Sequence, residues 1–126
     1  EEGLENVFAR HARFGEATRR AVRAWGLDIL CEQPLEYSSV LTAVMMPEGE
    51  GADALRKVIL ENFDMSLGNG LGKVADKVFR IGHLGDLNGL SLIGTLAGVE
   101  MGLGLGGIDY TKGGVQAAMQ YLSETT

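Results

Sequence analysis

The sequence predicts an α+β domain: a small sheet of about three or four strands with helices mainly on one face. Three observations carry that expectation. Short runs rich in β-branched and aromatic residues, at 38–46 and 78–81, alternate with stretches whose apolar residues recur at helical spacing, at 52–63 and 113–122. The long strand–helix–strand series that builds a parallel sheet is missing. Turn-forming residues punctuate the runs at Gly26, Pro34, Pro47 and Gly49.

In chain order, residues 1–25 read as a helix. Leu4, Val7, Phe8, Ala12, Val22 and Trp25 supply an apolar side, and Arg10, Arg13, Arg19, Arg20 and Arg23 an opposite, solvated basic face. Gly26 is the stop signal, and 27–30 a short apolar run that fits an edge strand before Pro34 interrupts it. The 38–46 strand is continuously apolar at Val40, Leu41, Val44, Met45 and Met46, so it belongs in the middle of the sheet. Pro47-Glu48-Gly49 ends it. Ala52 to Phe63 follows as a helix with Leu55, Val58, Ile59 and Phe63 on one stripe, and 65–67 reads as a second short strand.

The glycine-dense turn 68–72 then leads to the strand that carries Arg80, after which Asp86 or Asn88 can cap a helix over 89–101. That helix is apolar on nearly every side, with Glu100 as its only charge, and reads as buried. Gly94, Gly98 and Gly102 recur every four residues, a stripe that in lipid would suggest a dimerising span. The run is too short to cross a bilayer before Glu100, and no aromatic or basic belt flanks it. Gly102 to Gly107 formally matches the G-x-G-x-x-G spacing of dinucleotide-binding turns, but that turn needs a strand before it and a helix opening on it, whereas a helix precedes this one. The last helix, 113–122, turns Val115, Ala118, Met119 and Leu122 to the core, and 123–126 is expected to fray.

Composition narrows the function classes. The 126 residues are 45% hydrophobic and 22% charged, one ordinary globular domain in size. A net charge of −6 argues against nucleic acid as a general partner. The single cysteine, Cys31, rules out an internal disulfide and fits a reducing, cytoplasmic compartment. His11 and His83 lack the paired ligand spacing of a zinc site, and no signal peptide is visible.

The chemistry concentrates at Arg80. A guanidinium near a strand end offers a rigid fork of donors that matches a carboxylate or phosphate in bidentate fashion. The alternative is a surface salt bridge, and the residue pattern alone leaves both open. Gly70 and Gly72 offer possible loop contacts to an anion, although the turn lacks the lysine and hydroxyl residue of a P-loop. His83 is either an acid or base beside the ligand or a turn residue with a satisfied hydrogen bond.

Gly70-Leu-Gly-Lys-Val-Ala-Asp-Lys-Val-Phe-Arg-Ile-Gly-His-Leu-Gly-Asp-Leu-Asn88 resembles the C-terminal small domain of class V pyridoxal-phosphate aminotransferases of the serine-glyoxylate and alanine-glyoxylate type. The resemblance extends over most of the chain. It implies a linking helix over 1–26 and the small domain of a fold-type I aminotransferase over 27–126. Arg80 is the position matching the arginine that holds the substrate α-carboxylate. The implied reaction moves an amino group between serine or alanine and glyoxylate or a similar 2-oxo acid. The implied cofactor is pyridoxal 5'-phosphate, bound mainly by a large domain that would lie upstream, in a homodimer. The Schiff-base lysine and the phosphate-cup residues have no counterpart here, so no catalytic residue is assigned, and the chain alone is expected to be inactive. Two other readings stay open: a free-standing carboxylate-binding module, and an oligomerisation piece without a ligand.

Overall fold

The computed structural model describes residues 4–30, 41–70, 75–82 and 88–125. The elements run α1 (Leu4–Ala24), β1 (Asp28–Ile29), β2 (Leu41–Met45), α2 (Ala52–Phe63), β3 (Gly68–Asn69), β4 (Val78–Gly82), α3 (Gly89–Leu105) and α4 (Gly114–Glu124). The strands form a four-stranded sheet in the order β1-β2-β4-β3, antiparallel at every pairing. The expected α+β architecture is therefore present, with the 27–30 run on an edge and β2 in the interior.

Register decides which face is buried. Val44 pairs with Phe79 and Thr42 with Ile81, so these side chains share one face, where Val44, Phe79 and Ile81 are fully buried and Thr42 nearly so. Leu55 and Ile59 of α2 and Leu92, Leu96, Val99 and Leu103 of α3 complete the core that this face joins. The opposite face carries Ala43, Met45 and Arg80 and is only half-buried at those positions.

α2 matches the expected span, while β3 differs from the expected 65–67 strand. Asp64 closes α2 in the left-handed conformation, φ 53°, with its N–H donating to the Leu60 carbonyl at 3.0 Å. Residues 65–67 then bring the chain back alongside β4, and pairing begins only at Gly68. α3 runs past its expected end at 101 to Leu105, because Gly102 is where α2 crosses it. A Cβ at Gly102 would collide with the Ile59 side chain. Gly102 and Gly104 therefore lie inside a helix, which removes the dinucleotide-turn reading on structural grounds.

α1 differs most from expectation. From residue 9 onward its buried residues are His11, Phe14, Gly15, Ala17, Thr18, Arg19, Ala21 and Val22, with Trp25 buried just past its end, whereas Ala12 is exposed. The expected basic face is not uniformly solvated, because α4 packs along it. Arg13 donates from Nη2 to the Leu122 carbonyl at 2.6 Å and from Nε to Thr125 Oγ1 at 2.8 Å. Arg19 is only 9% exposed, and Arg20 lies 4.3 Å from the Tyr121 ring centre while paired with Glu16 at 3.0 Å.

Glu100 ties these layers together. Its Oε1 accepts from the Trp25 indole N–H at 2.7 Å and from the Val115 N–H at 3.0 Å, and the nearby backbone N–H groups of Gly113 and Gly114 also favour the charged carboxylate. Burial alone raises a carboxyl pKa, but these donors outweigh it and hold Glu100 below the usual range. The N-cap of α4 is Gly113, φ 114°, which has no side chain, so a carboxylate from α3 caps the helix instead. Gly114 makes this possible, because a Cβ there would strike the Trp25 indole.

Candidate functional site

α2 fixes both strands that form the site. At its N-terminus Gly51 provides no side-chain cap, and Asp76 takes that role: its Oδ1 accepts from the Asp53 N–H at 2.8 Å and its carbonyl from the Ala52 N–H at 2.9 Å. Asp76, itself in the left-handed region at φ 62°, thereby anchors the turn that enters β4. Further along α2, Arg56 donates from Nε to the Leu67 carbonyl at 2.8 Å and pairs with Asp53 at 3.2 Å, pinning the residue before β3.

Arg80 sits at the centre of β4, with Phe79 and Ile81 pointing into the core on either side. Alternation sends Arg80 to the opposite face, where its cross-strand neighbours are Ala43 on β2 and Gly68 on β3. Two small residues thus flank the one long side chain in the row. The Arg80 side chain lies across Gly68: the position a Cβ would take there is 3.1 Å from both Cβ and Nε of Arg80.

A cleft of about 430 Å³ opens beside it, bounded by the 65–68 segment, Gly82, Thr95 of α3 and Arg80 itself. Arg80 Nε is buried with no hydrogen-bond partner, and no ion pair of Arg80 occurs among the described residues. A buried charged donor without an acceptor is costly, so this arrangement fits an anion supplied from outside the described residues. The hydroxyl of Thr95 is already used within its own helix, donating to the Ser91 carbonyl at 3.1 Å.

Of the other candidates, Gly70 is buried and does not line the cleft, while Gly72 and His83 lie outside the described residues. Sequence reasoning missed Ala43 and Thr95, and reached Gly68 only as the first residue of the glycine-dense turn 68–72. The only available signal was at Gly68, where a glycine opens a run that leads straight to the arginine strand. No group of histidine, cysteine, aspartate and glutamate side chains able to hold a metal occurs among the described residues.

No protein-family model matches the chain. Comparison with curated proteins is decisive: the chain is 53% identical over 125 residues to the serine–glyoxylate aminotransferase of Methylorubrum extorquens, a match covering 98% of this chain. It is 52% identical over 124 residues to the serine–glyoxylate aminotransferase of Arabidopsis thaliana, covering 97%. The chain belongs to the class V aminotransferases. It spans 31% of the length of each of these relatives and corresponds to the C-terminal domain of the family. Among solved structures, the pyridoxamine–pyruvate aminotransferase of Mesorhizobium loti matches 98% of this class V domain with a TM-score of 0.91 and 29% identity, and the domain covers 32% of that chain. No helix among the described residues of the class V domain is long and apolar enough to cross a membrane.

Proposed function

We propose that this chain is the small-domain portion of an aminotransferase acting on serine or alanine with glyoxylate or a similar 2-oxo acid, and that Arg80 holds the substrate carboxylate. One observation carries the reading: a buried guanidinium Nε without a partner, beside an open cleft. A carboxylate there accepts charge-assisted bonds from the planar fork and removes the cost of the unpaired donor. Holding that group fixes the orientation of the bond at the neighbouring carbon, which is the positional part of the catalysis.

Pyridoxal 5'-phosphate, when bound in such an enzyme, supplies the electron sink for amino-group transfer. The described residues of this chain do not fit a role as its holder. Lys57 projects from α2 with 78% of its side chain exposed, and Lys77 and Lys112 are exposed as well. The cofactor in this reading belongs to a large domain, and the contribution of residues 27–126 is to bind and orient substrate. In this reading the segment 1–26 links the two domains, and its helix α1 shares the core through Phe14 and Val22, with Trp25 just past its end. The parent enzyme is read as a cytoplasmic homodimer.

The test is Arg80→Ala in the full-length parent. Truncating one partner of a desolvated charged pair costs about 2–5 kcal/mol, because the other charge is left unpaired. At about 1.4 kcal/mol per decade, kcat/KM for serine should fall on the order of 30-fold to several thousand-fold. Arg80→Lys should recover only part of this, since an ammonium lacks the planar fork. A kcat/KM within about twofold of wild type would make Arg80 a structural residue and end the assignment.

A further inference from the structure

We propose that Gly68 is a positioning residue for the Arg80 guanidinium, so that the edge strand β3, as well as β4, sets how the substrate carboxylate is held. This rests on the reading of Arg80 as the carboxylate holder and extends it to a second strand.

Side chains directly opposite each other in an antiparallel pair have Cβ atoms about 4.5–5.5 Å apart. At the Gly68–Arg80 pair, a Cβ on residue 68 would lie 3.1 Å from Arg80 Cβ, so Arg80 or the strand that carries it must give by a few tenths of an ångström. Arg80 Cβ is fixed to its backbone and cannot swing away as a side-chain tip does. The same added atom would lie 3.1 Å from Arg80 Nε and 3.5 Å from Nη2, so it would also push on the functional end of the side chain. Glycine at 68 therefore does two things: it lets β3 approach β4 closely, and it gives the arginine a surface to lie on. Ala43 on the other side completes a shallow trough across the sheet.

Backbone conformation does not explain the glycine, because the φ of Gly68 lies outside the left-handed region. Alanine is acceptable to the main chain there. Its cost falls on the position of Arg80.

The experiment is a double-mutant cycle in the full-length holoenzyme: wild type, Gly68→Ala, Arg80→Ala and the double variant. L-serine with glyoxylate is the reacting pair, and 2-aminoethanol is the amine control without a carboxylate. A misplacement of about 1 Å in an orienting group can cost on the order of 100-fold, and the few tenths of an ångström required here a part of that, so Gly68→Ala should lower kcat/KM for serine by about 4- to 10-fold. Turnover of 2-aminoethanol should stay within about twofold, since a group without a carboxylate has no use for the guanidinium. The double variant should be no worse than Arg80→Ala alone, because a residue acting through Arg80 has nothing left to act on. Asn69→Ala, on the same strand but facing the other side of the sheet, should leave the serine reaction unchanged.

Independent, multiplying losses in the double variant would overturn the inference. Equal loss with 2-aminoethanol, or failure of Gly68→Ala to fold, would do the same by showing a merely structural role. If Arg80→Ala itself leaves the serine reaction intact, the reading of Arg80 fails. If Arg80→Ala is crippled while Gly68→Ala is not, only the role of Gly68 fails.

Discussion

Replacing Glu100 with alanine tests the junction of α1, α3 and α4 through a single carboxylate. The wild-type side chain satisfies the Trp25 indole N–H at 2.7 Å and the Val115 N–H at 3.0 Å and closes the open end of α4. Trp25 is 1% exposed, so its indole N–H depends on this acceptor. An orphaned buried donor costs about 1–3 kcal/mol. Loss of a helix cap costs about 1 kcal/mol more. The sum places Glu100→Ala at about 2–4 kcal/mol of destabilisation. At about 4 °C per kcal/mol for a domain of this size, Tm should fall by about 8–16 °C, followed by circular dichroism of the 126-residue chain. The pH profile gives a second readout. The Glu100 pKa is lowered in the fold, so the unfolded chain binds the proton more readily. The stability from its charge is therefore fully present above the unfolded carboxyl value near 4.5 and is lost as pH falls through the lower folded value. Glu100→Gln keeps an acceptor but removes the charge, and should flatten that acid limb. A change in unfolding free energy below about 0.5 kcal/mol for Glu100→Ala would refute the reasoning, because surface substitutions alone reach that size.

Gly102→Ala drives a methyl into Ile59 at the α2–α3 crossing and should cost about 1–3 kcal/mol in urea unfolding, whereas the same change at Gly94, which has no atoms within 4 Å of the Cβ position, should be neutral or stabilising. Lys57, Lys77 and Lys112 are all solvent-exposed, and among the described residues no fold contact singles one out as a nucleophile, so borohydride reduction of the isolated chain with pyridoxal phosphate should label lysines diffusely. Stoichiometric labelling of one lysine, seen by peptide mapping, would contradict the proposal that the cofactor lysine belongs to a large domain.

What the sequence made legible follows the range of the forces involved. α2 was readable because its apolar stripe, Leu55 and Ile59, is local and strictly periodic. The interior place of β2 was readable from its unbroken apolar run. β3 was misplaced because its two residues, glycine and asparagine, have little intrinsic strand character, and pairing with Arg80 and Phe79 creates the strand. The end of α3 was set short because glycine propensity argues for termination at 102, whereas the Ile59 contact rewards a missing side chain there. At the site, Arg80 stood out through its flanking residues and its resemblance to the class V motif. The row Ala43–Arg80–Gly68 did not, since cross-strand register is a long-range fact. Glu100 was visible as a lone acid in an apolar helix, and Gly113-Gly114 as the glycine pair where the last helix begins. Only the fold joins those two incomplete signals.

The pairing of α1 with α4 brings together residues far apart in the chain, with Arg13 touching Leu122 and Thr125. During synthesis this imposes an order. The side of α1 that α4 covers, with Arg13 and Arg20 and then Trp25 just beyond the helix, leaves the ribosome about 100 residues before the end of α4, a wait of roughly 5–20 s at ordinary elongation rates. Through that interval the nascent polypeptide holds this helix and the adjoining tryptophan without their mate, a natural target for a chaperone. Ribosome pausing shortly before codon 114 would lengthen the exposure, and such pauses should raise aggregation more than pauses of equal length after α4 has emerged.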